Sequence, residues 1–465
     1  MARNIAVLPA GSRVTDYISL GVIAKCFPLS RVNALLAATN RASLRRRDLP
    51  APVVMYYVIA LALYMGSSYR EVLRCLLEGV QWLFGSSIRI KVAGKSGISQ
   101  ARTRLGWEVV RQLHDEVVQP MADPATKGAW YGGLRLVSLD GSTLDVADEA
   151  DNAAAFGRPG ASRGDSAFPQ LRFVSLVENS THVLFASQMA PYEVGEVTLA
   201  QSVLARLQPG MLCLADRQFF GFGLWTTAWT SGADLLWRIK KNMRLAAEQR
   251  LADGSYLSRI YPCERDWRHH TNGVVVRVID YRLDSVADAE PIYRLVTTLL
   301  DPAQAPAAEL AALYHERWEI ETALDELKTH LRGARIVLRS KTPDLVRQEF
   351  YGLMIAHFAI RSLIHEAALK AEEDPTDCPS STPSASSAVS CLPQSPFPPQ
   401  HRAAFHDAVL REILQERVAD RRERRNPRGV KRKMSSFPLR KRGGPTPRAF
   451  KLSDIIRIIS EQYCP

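Results

Sequence analysis

None of the seven cysteines, at positions 26, 75, 213, 263, 378, 391 and 464, stands in a CxxC pair, and their number is odd. Neither a disulfide framework nor a cysteine zinc site is supported, and a reducing cytoplasm is the simplest compartment. Long apolar runs are scarce as well. The longest, residues 52–66, is about 15 residues, short for a membrane span and suited to a buried helix. The N-terminus carries Arg3 and some apolar residues but no signal-peptide core with a cleavage site. Acidic residues are in deficit, 48 Asp and Glu against 60 Lys and Arg, for a formal charge of +12. That balance favours an acidic partner.

The positive excess is concentrated. Residues 417–451 hold fourteen Lys or Arg against Asp420 and Glu423, which accounts for the whole formal excess. Such a stretch reads as an arm for a phosphate backbone, or as an aid to solubility or partner contact. With 465 residues the chain has room for two or three domains.

Periodicity divides the chain. Residues 1–128 read as a helical N-terminal domain, either a DNA-binding module or a structural bundle, with helical spacing at 18–36, 52–65, 69–83 and 99–121. Arg41–Arg47 adds a basic cluster, and Ser99–Leu105 with Arg102 and Arg104 opens either a recognition helix or a basic surface. From residue 129 to 370 strands alternate with helices: 134–139, 171–177, 183–188 and 211–215 read as strands, 195–207 as a helix. A β-rich insertion at about 241–303 interrupts this domain, and helix 343–370 closes it. Residues 371–400 are rich in Pro, Ser and Thr and read as a disordered linker. Residues 401–465 are a helical and basic C-terminal segment.

Four residues share a stripe on one predicted helix. At 100° per residue, Arg317, Glu321 and Lys328 fall at about −60°, −20° and −40° from Tyr314, beside the apolar face. Glu316, Glu319, Glu326 and His330 fall on the far side, toward water. The stripe is either an ion-paired flank, with Arg317 and Glu321 at i,i+4, or part of a site. Two aspartates bear on the choice. Asp140 ends an apolar strand before Gly-Ser-Thr, and Asp216 ends Met-Leu-Cys-Leu-Ala before Arg-Gln-Phe-Phe-Gly. Each has a bland alternative as a turn or pairing residue, and Asp145 and Asp148 are rivals of Asp140. Together with Glu321 they would give three oxygen ligands, a set suited to hard Mg²⁺, with Mn²⁺ as a substitute. Two such ions activate a water or a 3′-hydroxyl and stabilise the leaving oxygen of a phosphodiester. His269–His270 read as surface residues, because neighbours on a strand point to opposite faces.

Tyr-x2-Arg-x3-Glu-x6-Lys at 314–328, Leu-Asp-Gly-Ser-Thr at 139–143 and Ala-Asp-Arg-Gln-Phe-Phe-Gly at 215–221 resemble the motifs of the DDE transposases of the insertion-sequence-four family. Leu61–Leu83, Ser99–Gly106 and Leu338–Lys341 are also similar to that family, so the likeness spans about residues 15–365. It implies an α/β (α+β) fold: a ribonuclease-H-like catalytic core with a β-rich insertion, an N-terminal helical domain and a basic C-terminal tail. It implies that Asp140, Asp216 and Glu321 are catalytic and hold two Mg²⁺ ions, and that Tyr314, Arg317 and Lys328 contact DNA phosphates. Arg238 and Lys240 would line the DNA groove, with a solvated strand end as the alternative. Trp267 or Trp237 would stack a flipped base, with a packing role as the alternative. The partners implied are double-stranded DNA, both transposon ends and target, and a second copy of the chain in a synaptic dimer. The place implied is the bacterial cytoplasm, near the nucleoid. A nuclease without strand transfer and a DNA-binding inactive relative are the competing readings.

Overall fold

The computed structural model describes residues 26–43, 49–84, 93–161, 164–240, 243, 245–284, 290–331, 337–378, 407, 410–411, 413–414 and 452–460. The basic stretch 417–451, residues 44–47 of the N-terminal basic cluster, most of the expected linker and Lys241 lie outside the described residues. The described residues begin with helices α1 (Leu29–Ala38), α2 (Ala51–Leu63), α3 (Tyr69–Phe84), α4 (Lys95–Leu105) and α5 (Glu108–Val117). Strands β1 (Leu134–Asp145), β2 (Gln170–Glu178) and β3 (Val183–Pro191) follow, then α6 (Glu196–Leu204), β4 (Met211–Ala215) and α7 (Phe222–Thr230). Next come β5 (Asp234–Ile239), β6 (Tyr256–Ile260), α8 (Glu264–His269), β7 (Val274–Leu283) and β8 (Tyr293–Thr297). Helices α9 (Ala307–Tyr314), α10 (Trp318–Asp325) and α11 (Pro343–Ala371) precede a last strand, β9 (Ile456–Ile458).

The chain forms two compact units. The first comprises residues up to Cys213, Thr226–Ala233 and Trp318–Arg417. Its strands run β3-β2-β1 with β4 next to β1, and the β1–β2 and β2–β3 pairs are antiparallel. An antiparallel three-strand meander, a helix and a further strand beside the first is the order that a ribonuclease-H-like core requires. Leu136 to Leu139 are buried at every position, as in a strand covered on both faces. The expected strand end at Asp140 is corrected: pairing with β2 continues from Asp140 opposite Ser175 to Asp145 opposite Gln170. Asp140–Gly141 is therefore mid-strand and not a turn.

Helices α1–α5 share this unit with β1–β3. The reason lies in α2, where every residue but Pro52 is buried. A helix apolar all round needs partners on every side, and α11 supplies the main one. The contact is close enough to require glycine: a Cβ on Gly352 would stand 2.8 Å from the Val58 carbonyl oxygen. The single expected helix over 99–121 is two, broken at Gly106 with φ 81. The expected linker also starts later than 371. Pro375–Asp377 form a 3₁₀ turn capped by Asp374, Cys378 is buried, and Pro375 O accepts from Arg361.

The second unit comprises Leu214–Trp225, Asp234–Arg317 and Val418–Pro465. Its strands run β5-β8-β7-β6, antiparallel throughout, as expected of a β-rich insertion. In the C-terminal segment, expected to be helical, Leu452–Ile455 form a helical turn and a strand follows: β9 pairs antiparallel with β7, Tyr281 opposite Ile458 and Leu283 opposite Ile456. β6 pairs only with Val274–Val278 of β7, so the far end of that edge is open to a second short strand. The run Ile455-Ile456-Arg457-Ile458-Ile459 is β-branched and apolar enough to fill it. Among the described residues no helix is long and apolar enough to cross a membrane.

Candidate active site

The first unit carries Asp140, Glu321 and Lys328; the second carries Asp216, Tyr314 and Arg317. In the first, Asp140 is half-buried, and its Oδ1 accepts from the Gly141 amide at 2.8 Å. Alternate strand residues share a face, so Asp140 and Ser142 stand on the same side of β1. Lys328 Nζ donates to Ser142 Oγ at 2.9 Å and thereby reaches that side. Helix α10, which bears Glu321, packs against β1. On the opposite side of β1, Gly141 leaves room for Glu196; a Cβ there would stand 2.8 Å from its carboxyl carbon. The rivals are engaged elsewhere, Asp145 by Gln170 at 2.7 Å and Asp148 by Arg158.

All five residues of β4 are buried, and Asp216, in the second unit, follows directly, half-buried, as expected. Its Oδ1 accepts from the Arg217 amide at 2.6 Å, the same use of the next residue's N–H as at Asp140. The Tyr314 hydroxyl donates to Ala215 O at 3.4 Å, one residue before Asp216. Burial pushes that hydroxyl well above the ordinary phenol range. Tyr314 is 6% exposed, and this contact braces the strand end. Arg317 is buried too, its guanidinium 6.0 Å from the Tyr314 ring centre.

The helical wheel does not hold across 314–328. A 3₁₀ turn at His315–Arg317 separates α9 from α10, and a π-helical turn, Glu326–Leu331, follows α10. The first advances more than 100° per residue and the second less. Glu319 and Glu326, expected to face water, are accordingly buried. His182 Nε2 lies 2.9 Å from Glu319 Oε2, and Nδ1 lies 3.1 Å from Glu326 Oε2. Arg361 Nη1 adds a 3.4 Å contact to Glu326.

Other expected residues divide. Arg238 is no solvated strand end: it pairs with Glu290 at 2.6 Å and lies 4.8 Å over the Tyr293 ring. Glu290 also takes Arg217 at 3.2 Å. Lys240 is exposed. Trp237 is fully buried, edge-on to Trp225 at 5.4 Å, which removes it as a stacking surface. Trp267 is 49% exposed on α8. His269 and His270 are exposed, but as the end and left-handed cap of α8, not on a strand. Arg102 cannot lead a recognition helix. It is 2% exposed and donates to Gln348 Oε1 at 2.8 Å and to Ser340 Oγ and Leu345 O at 3.1 Å.

Three residues escaped the sequence reading. Trp318, 46% exposed, stands three positions before Glu321, and only its adjacency to Arg317 marked it. Glu290 and His182 act through partners far away in sequence. Among the described residues no three His, Cys, Asp or Glu side chains stand close enough together to hold a metal ion. The donors at Asp140, Asp216 and Glu321 are nonetheless hard carboxylate oxygens, the chemistry that Mg²⁺ takes.

Comparison with known proteins agrees with the motifs. Residues 17–115 match the family model of the insertion element 4 transposase N-terminal region, and residues 131–359 match the transposase DDE domain. The transposase InsG for insertion sequence element IS4 of Escherichia coli K12 is 28% identical over 74% of this chain and 75% of its own. The putative transposase InsZ of the same strain is 26% identical over 50% of this chain and 74% of its own. A solved piggyBac transposase synaptic complex with hairpin DNA covers 85% of this chain and 79% of its own, at 10% identity and a TM-score of 0.38.

Proposed function

Because the chain belongs to the DDE transposases of the insertion-sequence-four family, we propose that it binds the terminal inverted repeats of its element, cuts a DNA strand there and joins the freed 3′-hydroxyl to target DNA. The observation that carries this reading is the Lys328–Ser142 hydrogen bond, which brings a cation to the Asp140 side of β1, against which the Glu321 helix packs. A phosphate between an ammonium and metal-holding carboxylates is held by opposite charge on both sides.

In this proposal Asp140, Asp216 and Glu321 hold Mg²⁺. The bound ions would lower the pKa of the attacking water or 3′-hydroxyl and neutralise charge on the leaving oxygen. Before reaction the chain's own residues position the DNA. Lys328 takes the phosphate as a point charge, and Arg317 offers a fork of N–H donors. Tyr314 keeps Asp216 in place through Ala215. Arg238, Lys240 and Trp267 lie along the second unit as further DNA contacts. Water and the 3′-hydroxyl are successive nucleophiles, so no covalent protein–DNA intermediate is needed. Joining two ends calls for at least two copies of the chain.

The test is a Mg²⁺-dependent cleavage and strand-transfer assay on a DNA fragment ending in the element's inverted repeat. Asp216→Ala and Glu321→Ala should each lose about 10³-fold in cleavage rate, the several kcal/mol that metal-ion catalysis supplies, while still binding the fragment. Full activity in either variant would sink the assignment. Joined products separate a transposase from a nuclease, which yields cut DNA alone.

A further inference from the structure

The turn Asn179–His182 between β2 and β3 is buried at all four residues. Loops ordinarily run over the surface because their polar groups need water. Here protein atoms take that role. Asn179 Oδ1 accepts from Ser138 Oγ at 2.7 Å, Ser180 Oγ donates to Lys127 O at 2.6 Å, and Thr181 O accepts from Arg361 Nε at 2.6 Å. The turn ends on His182 at φ 59, a left-handed conformation uncommon for a residue other than glycine. His182 is 1% exposed, and each ring nitrogen faces a carboxylate oxygen, of Glu319 and of Glu326. Neutral imidazole has one N–H, so a ring serving two carboxylates carries two. Arg361 is the second buried cation, and His357 Nε2 stands 4.0 Å from Glu326 Oε2. Burial pushes His357 down to about 3, which keeps it neutral. His182 and Arg361 thus set two cations beside the two buried carboxylates.

The anchored carboxylates have telling places in sequence. Glu319 lies two residues before Glu321, and Glu326 two before Lys328. On a helix, residues two apart point to nearly opposite sides. The cluster therefore grips the back of the segment whose front bears Glu321 and Lys328, and it does so on both sides of the change from α-helical to π-helical turns.

We propose that His182 is a positioning residue for strand cleavage: by bridging Glu319 and Glu326 it sets the rotation of the helical segment and so the places of Glu321 and Lys328. This rests on the transposase reading above. Misplacing a metal-holding carboxylate by about 1 Å costs on the order of 10²-fold in rate, without loss of DNA affinity.

His182→Asn suits the left-handed backbone but takes the imidazolium from Glu319 and Glu326, at a cost in stability; the double variant His182→Asn/Glu319→Gln removes one charge of each sign. Both are compared with the wild type by thermal melting, by Mn²⁺ binding to the full chain without DNA, read by electron paramagnetic resonance, and by cleavage at saturating end DNA. The expected result is a double variant that melts like the wild type, with KM for end DNA unchanged, kcat down by about 10²-fold and a half-saturating Mn²⁺ concentration raised at least about tenfold. Wild-type kcat and Mn²⁺ affinity in the double variant would overturn the proposal. So would a double variant that does not fold, since the cluster would then be a folding element. A wild type that binds Mn²⁺ but cleaves no DNA sinks the transposase reading and leaves the Mn²⁺ comparison to decide this one.

Discussion

Lys328 Nζ sits 2.9 Å from Ser142 Oγ, 186 residues away in sequence. On the proposed reading Ser142 is replaceable in this contact and the ammonium is not. Ser142→Ala removes one neutral acceptor, a loss of about 1 kcal/mol, and should slow cleavage less than tenfold. Lys328→Ala removes the charge proposed to meet the phosphate and should slow it by about 10²-fold or more. Equal effects of the two variants in the cleavage assay would assign Lys328 a packing role.

Arg102 belongs to the packing of α4 on α11. Arg102→Met leaves Gln348 Oε1 and Leu345 O without their donor, which should cost about 3 kcal/mol in urea unfolding. The folded fraction should bind end DNA as the wild type does. A variant of normal stability that fails to bind would restore the recognition-helix reading.

Gly352 allows α2 and α11 to touch through backbone. Gly352→Ala puts a methyl group 2.8 Å from Val58 O, and backbone cannot swing aside as a side-chain tip can. A loss of about 1–3 kcal/mol is expected. Since α2 and α11 share one core, the unfolding transition should stay single and shift as a whole. A low-temperature step confined to the N-terminal helices would show an independent domain.

The buried histidines give stability an acid limb and an alkaline limb. His357, held down to about 3 by burial, is neutral when folded, whereas the unfolded chain protonates it below about 6.5. Stability is therefore lost as pH falls from about 6.5 toward 3. His182 has the opposite sign. Burial lowers it, but the charge of Glu326 and hydrogen bonds to both glutamates hold it above its ordinary value. Its contribution is complete below about 6.5 and is lost as pH rises through the folded value. His357→Leu should flatten the acid limb in urea midpoints measured between pH 6.5 and 5. An unchanged slope there would mean His357 is protonated in the folded chain.

The last strand makes the C-terminus part of the second unit. Truncation after Lys451 removes β9 and buried Ile455 and Ile456, a loss of about 3 kcal/mol by area. Replacing the Lys and Arg of 417–451 by Gln should leave melting unchanged. If the stretch grips DNA, that replacement will also flatten the fall of affinity with salt. An unchanged salt slope removes the DNA reading, and a truncation that melts normally removes the structural role of β9.

Local sequence determined a good deal of this protein. Apolar runs marked β2, β3 and β4 because burial of a strand leaves its period in the sequence. Asp216 was legible as the first residue past a buried strand, and the Tyr-Arg-Glu-Lys spacing with two aspartate motifs marked the family. Tertiary structure decided what depends on distant partners. Glu319 and Glu326 read as solvated because a wheel of constant pitch ignores the 3₁₀ and π turns, and because His182 lies 137 and 144 residues away. Arg102 and Trp237 carry charge or aromatic surface suited to DNA, yet α11 and Trp225 enclose them. The strand at Ile456 formed because β7 has an edge that β6 leaves open, a vacancy with no trace in the sequence around residue 456.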